Sequence, residues 1–143
     1  MKVGDVLFWH RYRKGSKRWQ TLVWTDDGKR FEAVVKPKFG PMPVQMKDPV
    51  DVPGLGLVSL WFSGAYGRQD GHSWGLAVST DEGRTWRQQV VEDGLRKADW
   101  PTEPSLVWLG GRRLLALARC EQRCEGNPIR RLFSMTSDDL GRT

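Results

Sequence analysis

A chain of 143 residues with 38% hydrophobic and 28% charged residues has the size of one domain around a modest core, which excludes a disordered tail. Its apolar runs, such as Leu114 to Ala118, fall far short of the roughly 18 residues of a membrane-spanning helix, and the opening MKVGDVLFWH holds no apolar leader. A net charge of +6 suits an anionic partner, but the basic residues are scattered and no nucleic-acid motif accompanies them, so nucleic acid is not expected.

Eight Trp beside sixteen Gly point to short strands joined by tight turns. The first β-rich run is VLFWHRY (6–12); in RWQTLVWTDDGKRF (18–31) an apolar strand then enters a turn at Asp26 and Gly28, and the aromatic Phe31 follows. Lys36 to Pro53 contains five Pro and is expected to be an irregular connection. VSLWFSG (58–64) is the next strand, AYGRQDGHSW (65–74) a loop bearing Tyr66, Arg68, Asp70 and His72. SWGLAVSTDEGRTW (73–86) repeats the order of strand, turn and aromatic, now with Asp81, Gly83 and Trp86. DWPTEPS (99–105) leads into the strand SLVWL (105–109), the glycine turn GGR (110–112) and the strand LLALARC (114–120). Cys120 and Cys124 form a C-x3-C without a matching His or Cys pair; they read as thiols, or as a local disulfide in an exported chain, and no metal or cofactor is expected. RLFSMTSDDLGRT (131–143) closes the series with Ser137, Asp139 and Gly141.

The three Asp-bearing segments align without gaps at intervals of roughly 56 residues, a little longer than the usual period of four-stranded propeller blades. Trp19, Trp74 and Leu132 precede their aspartates by the same interval, and long amphipathic helices are absent. The expected fold is therefore all-β, with repeats over about 1–36, 48–92 and 99–143, roughly two and a half four-stranded units. Successive antiparallel strands reverse direction, so the Asp turns and the turn at 110–112 share one end, while loop 65–74 and segment 99–105 open at the other. A hairpin centred on Gly111 sets Glu103 opposite Arg119 at that second end, and a two-residue turn at Gly110 and Gly111 would shift the pairing by one; in either register the two meet at the rim, as part of a binding site or as a cross-strand salt bridge.

STDEGRTW (79–86) has the pattern S-x-D-x-G-x-T-W through Ser79, Asp81, Gly83, Thr85 and Trp86; SDDLGRT follows it through Ser137, Asp139 and Gly141, and WTDDGKRF keeps Asp26, Gly28 and Phe31. These segments resemble the Asp box of sialidases and related β-propellers. The resemblance implies a propeller, six-bladed in its complete domain, of which this chain would form a middle portion with a truncated third repeat. It also implies that the Asp box is structural, the carboxylate accepting bonds from the N–H groups of its own turn, so no catalytic role is expected of Asp81. EPSLVWLGGRRLLALAR (103–119) is similar to the sialidase stretch in which a Glu, the base for a tyrosine nucleophile, precedes one strand and an Arg that grips the substrate carboxylate ends the next. The implied function is that of an exo-α-sialidase-like glycoside hydrolase acting on terminal sialic acid, with Glu103 catalytic and Arg119, Tyr66, Arg68, Asp70 and His72 facing substrate. A solvated turn for Asp70 and a polar rim for Tyr66, Arg68 and His72 are the competing readings. The family's R-I-P motif, its first-blade acid/base Asp and its later Arg and Tyr are not in these residues, so the chain alone is not expected to turn over a sialoside. The alternative is a non-catalytic Asp-box propeller that binds glycans or serves assembly, for example on a secreted or phage surface protein. In either case the expected partner is a sialylated or other acidic glycan.

Overall fold

The computed structural model describes residues 39–40, 43–47, 49–120 and 131–142 in full and, outside them, the backbone of the strands. The protein is all-β and its sheets are antiparallel. The first sheet runs β1 (Lys2–Val3), β2 (Val6–Arg13), β3 (Ser16–Trp24) and β4 (Phe31–Val35) in that order. The second holds β5 (Gln45–Met46), β6 (Val50–Val52), β7 (Gly56–Ser63), β8 (His72–Ser79) and β9 (Arg87–Leu95). After a short 3-10 turn at Lys97–Asp99, the third is built from β10 (Pro101–Gly110), β11 (Arg113–Cys120) and β14 (Arg131–Ser137), with β12 (Arg123–Cys124) and β13 (Asn127–Pro128) forming a separate small hairpin. No helix among the described residues is long and apolar enough to cross a membrane.

The segment from Lys36 to Pro53 departs from the expectation of an irregular connection. Within it β5 and β6 line the edge of β7 in succession, Met46 pairing with Trp61 and Val50 with Val58. Pro49 between them offers no N–H, so the edge strand breaks there without losing a ladder bond. Fully buried Val52 explains why the segment is held down.

Alternation along β7 and β8 sends side chains to two buried faces. Val58, Leu60, Leu76 and Val78 meet Val52, Leu114 and Ala116 between the second and third sheets, with Leu106, Trp108 and Met135 packed at the margin. Trp61, Ala77 and Met46 form a smaller cluster on the opposite face, beside Phe39 and Trp86. Burying each of the larger side chains contributes about 1.5–3 kcal/mol, so the second sheet, covered on both faces, is the most strongly held part of the described fold. Among the described residues the third sheet is covered on one face: Val107, Leu109, Leu117 and Leu132 are exposed on the other, Leu132 at 76%.

Candidate functional site

The turns at one end of the sheets are closed by their own side chains. Ser79 Oγ donates to Asp81 Oδ1 at 2.8 Å and accepts from the Gly83 N–H at 2.7 Å, while Asp81 also accepts from the Thr85 N–H at 2.7 Å and the Thr85 hydroxyl at 2.6 Å. Burial raises the Asp81 carboxyl, but the bonds from Thr85 and Ser79 outweigh it and hold the group below the ordinary aspartate value of 3.8. Trp86 covers the turn and donates Nε1–H to the Gly83 carbonyl at 2.9 Å. The same arrangement recurs in the third repeat: Ser137 Oγ lies 2.7 Å from both Asp139 Oδ1 and the Gly141 N–H, and Asp139 accepts from the Arg142 N–H at 2.8 Å. Even the backbone repeats, since Glu82 and Leu140 both take a left-handed φ, 57° and 65°, ahead of their glycines. Asp26 and Gly28, the sequence-expected counterparts in the first repeat, lie outside the described residues.

Strand polarity puts the start of β10 and the end of β11 at the opposite end of the sheet. Residues 105–108 of β10 pair with 117–114 of β11 about Gly111, the expected register, but it slips towards the rim, where Thr102 rather than Glu103 pairs with Arg119. Glu103 lies in the resulting bulge, at a φ of 49° that its Cβ makes costly and that the following Pro104 restricts further. The bulge redirects the side chain without separating the pair: Arg119 Nη1 donates to Glu103 Oε1 at 3.0 Å, with the two side chains 35% and 44% exposed. Buried Thr102 anchors the rim through a 3.1 Å bond from its hydroxyl to the Arg119 carbonyl. An open depression of about 420 Å³ is lined there by Glu103, Ser105, Leu117, Arg119, Arg131 and Leu132.

The loop between β7 and β8 reaches the same end. Arg68, Gln69, Asp70 and Gly71 line a second shallow depression of about 440 Å³, separate from the one at Glu103. Tyr66 is 41% exposed and tilts over Trp100 at a centroid distance of 5.2 Å; Lys97 Nζ donates to its carbonyl, and the Lys97 N–H bonds the Gln69 carbonyl at 2.6 Å. His72 does not occupy a rim. It opens β8, fully buried and stacked on Trp100 at 4.0 Å and 18°, because Phe62 and Trp100 make an apolar slot there. Its Nε2 lies 3.3 Å from the Arg68 carbonyl, which can only accept, so that nitrogen carries the proton. Gly64, at a φ of 142°, permits this packing, since a Cβ there would fall 2.1 Å from His72 Nδ1. His72 Nδ1 and Trp100 Nε1 are buried without a hydrogen-bond partner.

Of the expected site residues, then, Glu103 and Arg119 meet, Arg68 and Asp70 share a neighbouring depression, Tyr66 caps Trp100, and His72 is internal. Sequence reasoning passed over Trp100 and Arg131. The signal for Trp100 was an aromatic immediately before a proline-flanked strand; for Arg131 it was the repeat alignment, which puts a guanidinium where the second repeat has Ser73. Cys120 is a buried thiol donating to the Ala98 carbonyl at 2.7 Å, and the Cys124 side chain lies outside the described residues. No group of three His, Cys, Asp or Glu among the described residues is placed to hold a metal ion. Comparison with protein-family models, curated proteins and solved structures finds no match.

Proposed function

We propose that the chain is a sialidase-like β-propeller portion whose Glu103 and Arg119 serve an acidic sugar. The observation that carries this reading is the ion pair itself: a guanidinium and a carboxylate 3.0 Å apart, partly exposed beside an open depression, with Glu103 in a strained backbone conformation at the end away from the Ser/Asp turns. A cross-strand ion pair gains little from such strain, whereas a group that must be aimed at a ligand has a reason to bear it. In this role the Arg119 fork takes the carboxylate of the sugar, and Glu103 orients the fork or accepts a proton from a phenol supplied by another repeat. The exposed ring of Tyr66, backed by Trp100, favours a related but non-catalytic reading in which the same end is a glycan-binding surface.

The test compares sialic acid with its methyl ester by NMR titration of the chain. The acid is expected to shift resonances around Arg119 and Glu103 while the ester does not, and Arg119→Lys is expected to weaken binding about tenfold through loss of the planar fork. Equal response to both ligands would overturn the carboxylate role. Turnover of a fluorogenic sialoside by an assembled complete domain, lost in Glu103→Gln, separates the hydrolase from the binding module.

A further inference from the structure

The loop between β7 and β8 is fastened by its backbone rather than by its polar side chains. The Ala65 carbonyl accepts from the Arg68 N–H at 2.9 Å, closing a turn, and the carbonyls of Tyr66, Arg68 and Gln69 accept from Lys97 Nζ, His72 Nε2 and the Lys97 N–H. The side chains of Arg68, Gln69 and Asp70 line one depression, yet none of them has a hydrogen-bond or ion-pair partner among the described residues. Tyr66, inside the same turn, adds an exposed ring with a fixed underside: it tilts over Trp100, which is itself buried against Phe62 and His72. A ring backed in this way, on a backbone held at four carbonyls, gives up little freedom on meeting a ligand.

We propose that loop 65–71 binds a neutral hexopyranose, at a site distinct from the depression beside Glu103 and Arg119. Arg68 can only donate, ionised Asp70 can only accept, and Gln69 does both. Opposite charges share the depression, so a simple anion is opposed by Asp70 and a simple cation by Arg68. A neutral ring of hydroxyls, each both donor and acceptor, satisfies all three side chains, while its C–H face lies on the ring of Tyr66. This site belongs to the glycan-binding reading of the same end, on which its ligand class rests, but Glu103 and Arg119 take no part in it.

The experiment titrates the isotope-labelled full chain with lactose and, separately, with methyl α-mannoside, followed by NMR. Saturable shifts are expected at the Tyr66 ring and at the amides of residues 68–71, while those of Glu103 and Arg119 stay in place. Tyr66→Ala should weaken binding about tenfold and Tyr66→Phe should restore it, and Asp70→Asn should weaken it about fivefold. No response to either sugar would overturn the proposal, as would binding untouched by Tyr66→Ala. Glycerol shifting the same amides as strongly would mark the loop as a general polyol surface and overturn it too. Displacement of lactose by sialic acid would merge the two sites, ending this proposal and leaving the acidic-sugar role of Arg119 standing; a chain that binds lactose but not sialic acid would do the reverse.

Discussion

The two ends of the sheets solve opposite problems. At the Ser79 and Ser137 turns each carboxylate and hydroxyl has partners within the turn, and the geometry is the same twice over. At the other end a glutamate is held at a left-handed φ, a histidine and a tryptophan are buried with an unused nitrogen each, and the polar side chains face open depressions. Closed hydrogen-bond sets make the first end a structural repeat. Left-handed φ values occur at both ends, at Glu82 and Leu140 as at Glu103, so what separates the second end is unused hydrogen-bonding capacity beside open depressions.

The sharpest way to break this contrast is Trp100→Ala. Removing a fully buried ring that packs on Phe62, Tyr66 and His72 should cost about 3–5 kcal/mol in urea unfolding and release the β7–β8 loop, showing that the loop-bearing end still rests on a core residue. A loss under 1 kcal/mol would mean that the stack is incidental. Asp81→Ala comes next: the hydrogen bonds it removes from a partly exposed turn predict a loss of about 1–2 kcal/mol, with sugar binding unchanged. Because the folded Asp81 pKa lies below 3.8, its contribution is present above that value and is lost as pH falls through the lower, folded pKa. Melting temperatures measured from pH 6 down to pH 2.5 should fall more steeply for the wild type than for Asp81→Asn. The smallest effect is at Glu103, where Glu103→Gly should be more stable than Glu103→Ala by about 1 kcal/mol, since only glycine accepts the φ of 49° without cost. Equal stabilities would show that this φ carries no strain.

The turn end was legible in advance because its information is local: Ser79, Asp81, Gly83, Thr85 and Trp86 bond or pack within a few residues of one another. The Glu103 and Arg119 meeting was legible because a hairpin converts sequence spacing into distance in either register, although the bulge that passes from one register to the other between Ser105 and Thr102 was not. That bulge depends on Pro104 and Thr102 being buried against the sheet, a tertiary constraint with no periodic signature. The same applies to His72, whose polar neighbours in the loop suggested a rim until Phe62 and Trp100, remote in sequence, closed over it. β5 and β6 were concealed by prolines, which read as breakers unless it is known that their side of the chain is an edge.

Cys120 offers a clock for the loop-bearing end. Cys120 is 1% exposed and its thiol is tied to the Ala98 carbonyl, so an alkylating reagent reaches it when the structure around the turn at Lys97–Asp99 opens. In a Cys124→Ser background the labelling rate then counts those openings directly. A rate that urea barely alters would show that this end breathes on its own, ahead of global unfolding, while the sheets beneath it stay shut.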